Sequence, residues 1–316
     1  MAKGNKNPVV MASTRAVNGG IATLDTNGNV PCEQLGNVTN PNLLDNWHFA
    51  NPVNQRGQTE YTGTGYGIDR WKNNGEGTVT VGNGCVTVSN VQEFERGLIQ
   101  SIEPKLYDTI KGKQVTFSCL LADNTLLYCT VTAPDDGHVR FDFTDSFSFY
   151  MDGVPEAWGR YVALVIQPGY TLAVTAVKLE LGSVQTLAHQ EADGGWVLNE
   201  IPDYSRELCK CKRFYERKMV AGLDTMELTG TRTFLSGVMY EAVKATVPVV
   251  KIYGRNYAEP DVLIQNEVIK MSDGNVAGIP VTDLYVDAEG IHYVRMADSL
   301  PEVNSYSYIY EASAEL

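Results

Sequence analysis

Through most of residues 42–188, apolar and polar side chains alternate with a period of two. Thr78-Val79-Thr80-Val81, Cys85-Val86-Thr87-Val88 and Val115-Thr116-Phe117-Ser118-Cys119-Leu120-Leu121 are the clearest runs, joined by Arg140-Phe141-Asp142-Phe143 and Tyr161-Val162-Ala163-Leu164-Val165-Ile166. Successive side chains of a strand point to opposite faces, so each run reads as a strand with one face toward a core. Gly82-Asn83-Gly84, Pro134-Asp135-Asp136-Gly137, Asp152-Gly153 and Pro168-Gly169 punctuate them with residues that tolerate turn conformations. Many short strands with no helical period between them predict an antiparallel sandwich.

The period then changes. In Asp203–Met219, Tyr204, Leu208, Cys211, Tyr215 and Met219 recur close to every 3.6 residues, after Pro202 and a capping Asp203. That spacing predicts one amphipathic helix over Asp203–Met219. It carries Arg206, Lys210, Lys212, Arg213, Arg217 and Lys218 against Glu207 and Glu216. Two readings of this basic face are open: a solvated face docking on an acidic neighbour, or a contact surface for polyanions. Strand runs return in Leu284-Tyr285-Val286, Ile291-His292-Tyr293-Val294 and Tyr306–Tyr310. The expected organisation is an N-terminal arm over 1–40, a sandwich over 41–188, a linker and helix over 189–222, and a smaller C-terminal β domain over 223–316, an all-β fold with a single linking helix.

Composition narrows the function classes. The chain has 316 residues, 43% hydrophobic and 20% charged, with a net charge of −13. This is globular composition, and the acidic balance gives phosphate-backbone binding no electrostatic basis, so no nucleic-acid partner is expected. The start lacks the apolar core of a signal peptide, and no window approaches the roughly 20 apolar residues of a membrane helix, so a soluble chain made in the cytosol is expected, without membrane insertion. The six cysteines fall mostly in strand-like runs and read as free, buried thiols; Cys209 and Cys211 on a helix would face different ways, which argues against zinc.

Catalytic signatures are missing. The chain has no Gly-x-Ser-x-Gly elbow, no His-Glu-x-x-His pair and no phosphate loop, and His48, His138, His189 and His292 are far apart in sequence. With 38 acidic residues, candidate carboxylate pairs discriminate nothing. Gly63-Thr64-Gly65-Tyr66-Gly67 precedes Asp69-Arg70-Trp71 and reads as a loop leading into a strand.

Several segments together resemble a known family. Asn42-Leu43-Leu44-Asp45-Asn46-Trp47, the mid-segment Trp71 and the closing Lys178-Leu179-Glu180-Leu181-Gly182 resemble the jelly-roll, carbohydrate-binding-module-like domains of bacteriophage tail and head fibre proteins. Gly19-Gly20-Ile21-Ala22-Thr23-Leu24-Asp25 through Val30-Pro31 is similar to arm segments of such fibres, Cys211-Lys212-Arg213-Phe214-Tyr215 to the helix that follows their jelly roll, and the terminal Tyr310–Leu316 to their endings. The resemblance implies a jelly-roll sandwich, a homotrimer, a virion location with residues 1–40 fixed to other virion proteins or else a disordered terminus, and adhesion to a host-surface glycan without catalysis. It implies no cofactor; a structural calcium, sometimes held near the first strand of such domains, would fall to Asp45 and Glu180.

A sandwich binds sugar by stacking flat rings on sugar C–H surfaces while polar groups fix the hydroxyls. Trp47 and Trp71 are expected to pack in the core. The candidate carbohydrate-binding residues are Tyr150 and Trp158, which flank the loop 151–157, with Tyr161, Arg140 and Asp142. Two rivals stand beside adhesion: a structural capsid or head-fibre decoration protein without a receptor, and a polysaccharide-degrading enzyme, which would need two carboxylates about 5–9 Å apart across a cleft.

Overall fold

The computed structural model describes residues 39–75, 77–90, 96–153, 160–223, 225–229, 232–255, 263–272, 275–296 and 305–315. The fold is all-β. The first body runs β1 (Glu60–Thr62), β2 (Gly65–Tyr66), β3 (Lys72–Asn73), β4 (Thr78–Gly82), β5 (Cys85–Ser89), β6 (Arg96–Ser101), α1 (Pro104–Ile110), β7 (Gln114–Leu121), β8 (Leu126–Thr132), β9 (His138–Asp142), β10 (Phe147–Asp152), β11 (Tyr161–Ile166) and β12 (Thr171–Leu181). These strands make two six-stranded antiparallel sheets, ordered β1-β4-β5-β12-β7-β8 and β2-β3-β6-β11-β10-β9.

The alternation seen in the sequence becomes the inner face of each sheet. Val79, Val86, Phe117 and Val174 from one sheet share a buried cluster with Leu98, Phe149, Leu164 and Ile166 from the other. Phe117 stacks on Phe149 across the gap between the sheets. Trp71 is fully buried edge-on to Phe49, at 5.2 Å and 78°, and its indole N–H donates to the Asn46 carbonyl at 3.1 Å. Trp47 is buried as well, so both tryptophans pack as expected. The β4–β5 turn uses Asn83 at φ 53° and Gly84 at φ 72°, the left-handed pair that a two-residue hairpin demands. At Gly97 on β6 an added Cβ would stand 1.6 Å from the Leu164 carbonyl oxygen of β11, so this pairing admits only glycine.

A hairpin of β13 (Ala188–Gln190) and β14 (Trp196–Leu198) leads to α2 (Tyr204–Lys212). The second body then runs β15 (Tyr215–Leu223), β16 (Thr225–Thr229), β17 (Arg232–Met239), β18 (Val249–Arg255), β19 (Leu263–Gln265), β20 (Glu267–Ser272), β21 (Asn275–Val286), β22 (Gly290–Met296) and β23 (Ser305–Ser313). β23 is central: one edge pairs with β15, and the other is shared by β18 and β20. The long β21 pairs with β20 over its first half and with β22 over its second. A separate buried cluster forms here around Ile252, Val268, Val294, Met296, Tyr308 and Tyr310.

The helix expected over Asp203–Met219 is shorter than its pattern. Asp203 caps it, accepting from the Arg206 N–H at 3.1 Å, but α2 ends at Lys212 and Tyr215–Leu223 is strand. Pairing of β15 with β23 from Tyr215↔Ser313 to Leu223↔Tyr306 outweighs the helical period. Of the expected apolar stripe, Cys211 and Tyr215 are buried, whereas Tyr204 and Met219 are well exposed. The two-turn α1 was not expected either; it buries only Tyr107 and Ile110, too little to leave a period. Among the cysteines, Cys85, Cys119 and Cys211 are buried and Cys129 half-buried, but Cys209 is exposed. Of the expected arm, residues 1–38 lie outside the described residues; Asn40 is tied to the sandwich through Thr186 and the Leu181 carbonyl.

A polar seam joins the two bodies. Arg56 lies 3.7 Å over the Tyr215 ring and bridges Asp69 at 3.2 Å to Glu315. Gln55 reaches both the Asp69 carboxylate at 2.7 Å and the Tyr215 carbonyl at 2.8 Å. Arg213 holds Glu103 with both terminal guanidinium nitrogens, at 2.9 and 3.1 Å.

Candidate functional site

The sheet that contains β9, β10 and β11 turns Phe147, Phe149 and Met151 inward, which leaves the alternate residues of β10 on its outer face. Tyr150 is one of these. It pairs with Arg140 on β9 and Ala163 on β11. Asp152, two residues on, faces His138 on one side and Tyr161 on the other. Three rings therefore line up across three strands: His138 lies 5.0 Å from Tyr150 at 24°, and Tyr150 lies 6.0 Å from Tyr161 at 23°. Near-parallel rings in one row, with the exposed Arg140 beside them, make an aromatic row edged by polar groups.

Four of the five sequence candidates thus fall on one sheet. Tyr150 stands beside Tyr161 and pairs with Arg140, and Asp142 pairs with Ser148 on the same strands. Trp158 lies outside the described residues. The structural reason for the exposure of Tyr150 differs from the expected one, because Tyr150 lies within β10 and is outward by strand alternation, not by flanking a loop. His138 and Asp152 were missed, although His138 stands two residues before Arg140 and alternation alone places both on one face.

The base of the β10–β11 connection is fixed. The Gly153 N–H donates to the Gly137 carbonyl at 2.9 Å, the Arg160 Nε donates to the Gly153 carbonyl at 3.2 Å, and Tyr107 donates its hydroxyl to the Pro134 carbonyl at 2.9 Å. Burial raises the Tyr107 hydroxyl to about 12, so it remains a donor across the physiological range.

The two residues weighed for calcium already hold protein cations. Asp45 accepts from Arg70 at 3.1 Å and lies 3.9 Å from Lys210, while Glu180 accepts from the Thr186 N–H at 2.7 Å and faces Lys178 at 3.8 Å. Burial lowers the Lys178 amine, and the Glu180 carboxylate opposes that. Among the described residues no three His, Cys, Asp or Glu side chains are grouped as metal ligands.

Five of the six basic residues of Asp203–Met219 are occupied in the same way. Lys210 pairs with Glu207, Lys212 and Lys218 with Glu241, Arg213 with Glu103 and Arg217 with Glu311. This is the docking arrangement, with the cations spent on the chain's own carboxylates instead of displayed as a polyanion surface. The seam carboxylates Asp69 and Glu315 are also bridged, and both side chains are almost fully buried, so they offer no open cleft. Among the described residues no helix is long and apolar enough to cross a membrane.

No protein-family model matches this chain, and a search of the curated proteins returns no match.

Proposed function

We propose that this chain is a virion fibre protein that attaches to a host-surface glycan, without making or breaking bonds, through the outer face of its N-terminal sandwich. The observation that carries this reading is the row His138, Tyr150 and Tyr161 beside Arg140. Aromatic rings offer apolar surface to pyranose C–H groups, and adjoining polar groups orient hydroxyls. In this reading the two-sheet body is a jelly roll of the carbohydrate-binding type, residues 1–40 fix the chain to other virion proteins, and three copies associate.

Trimeric association suits a shallow strip. Three weak sites on one particle raise avidity through effective concentration without a deep pocket.

The test joins solution mass to binding. Light scattering on the purified chain should give about three times 34.7 kDa, and the Tyr150→Ala variant should lose binding to bacterial surface glycans on a printed array. A monomer that binds no glycan would sink the proposal. A trimer indifferent to Tyr150→Ala would move the weight to a structural decoration protein.

A further inference from the structure

The second body carries its own exposed row of rings. On the hairpin of β21 and β22, the Tyr285 ring lies 4.9 Å from His292 at 36° and 5.9 Å from Tyr293 at 34°. Adjacent residues of an unbroken strand point to opposite faces, so His292 and Tyr293 should not both meet Tyr285. The register explains it: Tyr285 pairs with Tyr293 but Val286 pairs with Ile291, which leaves His292 as the extra residue of a bulge. A second irregularity, between Val281 and Asp283, sets Asp283 opposite Arg295. Ile291 and Val294 remain buried beneath the row.

Polar groups edge these rings in fixed positions. Asp287 accepts from the Glu289 and Gly290 N–H groups at 2.7 and 3.1 Å, and its other oxygen lies 2.7 Å from His292 Nε2. Asp283 lies 3.4 Å from the Tyr293 hydroxyl and 3.4 Å from Arg295. Tyr285 is 52% exposed. The set matches the sandwich strip in kind, two tyrosines, a histidine, an arginine and aspartates, yet no residue is shared. Asp283 pairs with Arg295, and Asp287 is held by two backbone N–H groups and His292, so the face presents rings and engaged hydrogen-bonding groups with no surplus of cations. Such a face suits an uncharged polyol and gives a polyanion nothing to gain.

We propose that the Tyr285–His292–Tyr293 row is a second binding platform, for the pyranose rings of an uncharged surface polysaccharide. The ligand class rests on the adhesion reading above; the site rests on its own residues. Two weak platforms on one chain would engage a repeating glycan with an affinity that neither reaches alone.

The experiment uses the full chain on an array of purified bacterial surface polysaccharides, neutral and anionic, with Tyr285→Ala, Tyr285→Phe, Tyr150→Ala and the Tyr150/Tyr285 double alanine variant. Tyr285→Ala should lower apparent affinity for neutral spots about threefold or more while Tyr285→Phe, which keeps the ring, stays within about twofold. The double variant should lose more than either single one. Unchanged thermal melting of Tyr285→Ala would show that the loss is not unfolding. Binding lost with Tyr150→Ala alone would overturn this platform and keep the sandwich site; binding lost with Tyr285→Ala alone would do the reverse. Preference for anionic spots, no binding to any spot, or a fall in solution mass of Tyr285→Ala would each overturn the proposal, the last by marking a contact between copies.

Discussion

The guanidinium of Arg70 lies 3.5 Å from the centroid of the Phe214 ring. Both side chains are almost fully buried, and Arg70 holds a left-handed backbone at φ 70° while its Nε pairs with Asp45 and its Nη2 donates to the Ser101 carbonyl at 2.8 Å. One residue on, Tyr215 carries Arg56 in the same manner. The sandwich thus supplies two arginines and the start of the second body supplies two consecutive aromatic rings, so that the bodies are joined by stacked cations in a buried setting, where such contacts are strongest.

Phe214→Ala should therefore cost about 3–5 kcal/mol, as for other buried phenylalanines. Arg70→Lys should also destabilise, because an ammonium cannot stack and fork as a guanidinium does. Urea denaturation followed by intrinsic fluorescence measures both. A Phe214→Ala chain as stable as the parent would mean that the seam contributes nothing.

Stability should fall as pH rises from about 4 toward neutrality. Desolvation pushes Asp69 from 3.8 up to about 7, against the opposing help of Gln55 and Arg56, and burial raises Glu315 as well. A carboxyl with a raised folded-state value contributes stability that is fully present below about pH 4 and is lost between there and about pH 7. Glu241 has the opposite sign: its hydrogen bonds from Lys212 and Lys218 hold it near 2, so its contribution fades only in acid. Thermal melting from pH 5 to 8 should show a declining temperature that Asp69→Asn flattens; a slope unchanged by Asp69→Asn would refute the assignment.

Removing one member of the buried pair Lys244 and Glu216 should be worse than removing both. They meet at 2.7 Å with almost no exposure, and Glu216 also accepts from Tyr310. Lys244→Ala leaves a buried carboxylate without its cation, at a cost of about 3–5 kcal/mol, whereas Lys244→Met with Glu216→Gln should recover much of the loss. A denaturant double-mutant cycle reads the coupling, and additive single losses would contradict it.

Gly97→Ala should disrupt the strand pairing that supports Tyr161. Its Cβ would meet the Leu164 carbonyl oxygen of β11 at a distance no neighbour can accommodate. The expected loss is about 3 kcal/mol or more, with weakened hydrogen-exchange protection in β6 and β11. Normal protection in this variant would show that the two backbones can separate without penalty.

How much of this was legible in the sequence follows from the range of the interactions. Strands β7 and β11 and the Asn83-Gly84 turn were readable because alternation and left-handed turns are local properties. The end of α2 was not, because the partner that converts Tyr215–Leu223 to strand lies some ninety residues later, at Tyr306–Ser313. Tyr150, Tyr161 and Arg140 could be singled out from their local sequence setting, but their alignment with His138 depends on the pairing of three strands. Bulges concealed the Tyr285 row, since strict alternation assigns His292 and Tyr293 to different faces.

The central place of β23 has a consequence for the order of events during synthesis. A ribosome delivers Ser305–Ser313 after β15, β18 and β20, the three strands it must pair with, and delivers Glu315, the mate of Arg56, after that. The sandwich, whose strands end at Leu181, can form on the emerging polypeptide while the second body waits with its middle strand missing. A nascent chain stalled before residue 305 would expose the unpaired edges of β15, β18 and β20, the kind of surface that chaperones and proteases recognise. Only a chain read through Glu315 can close that body and complete its seam with the sandwich, so translation itself sorts chains that carry β23 from those that stop short of it.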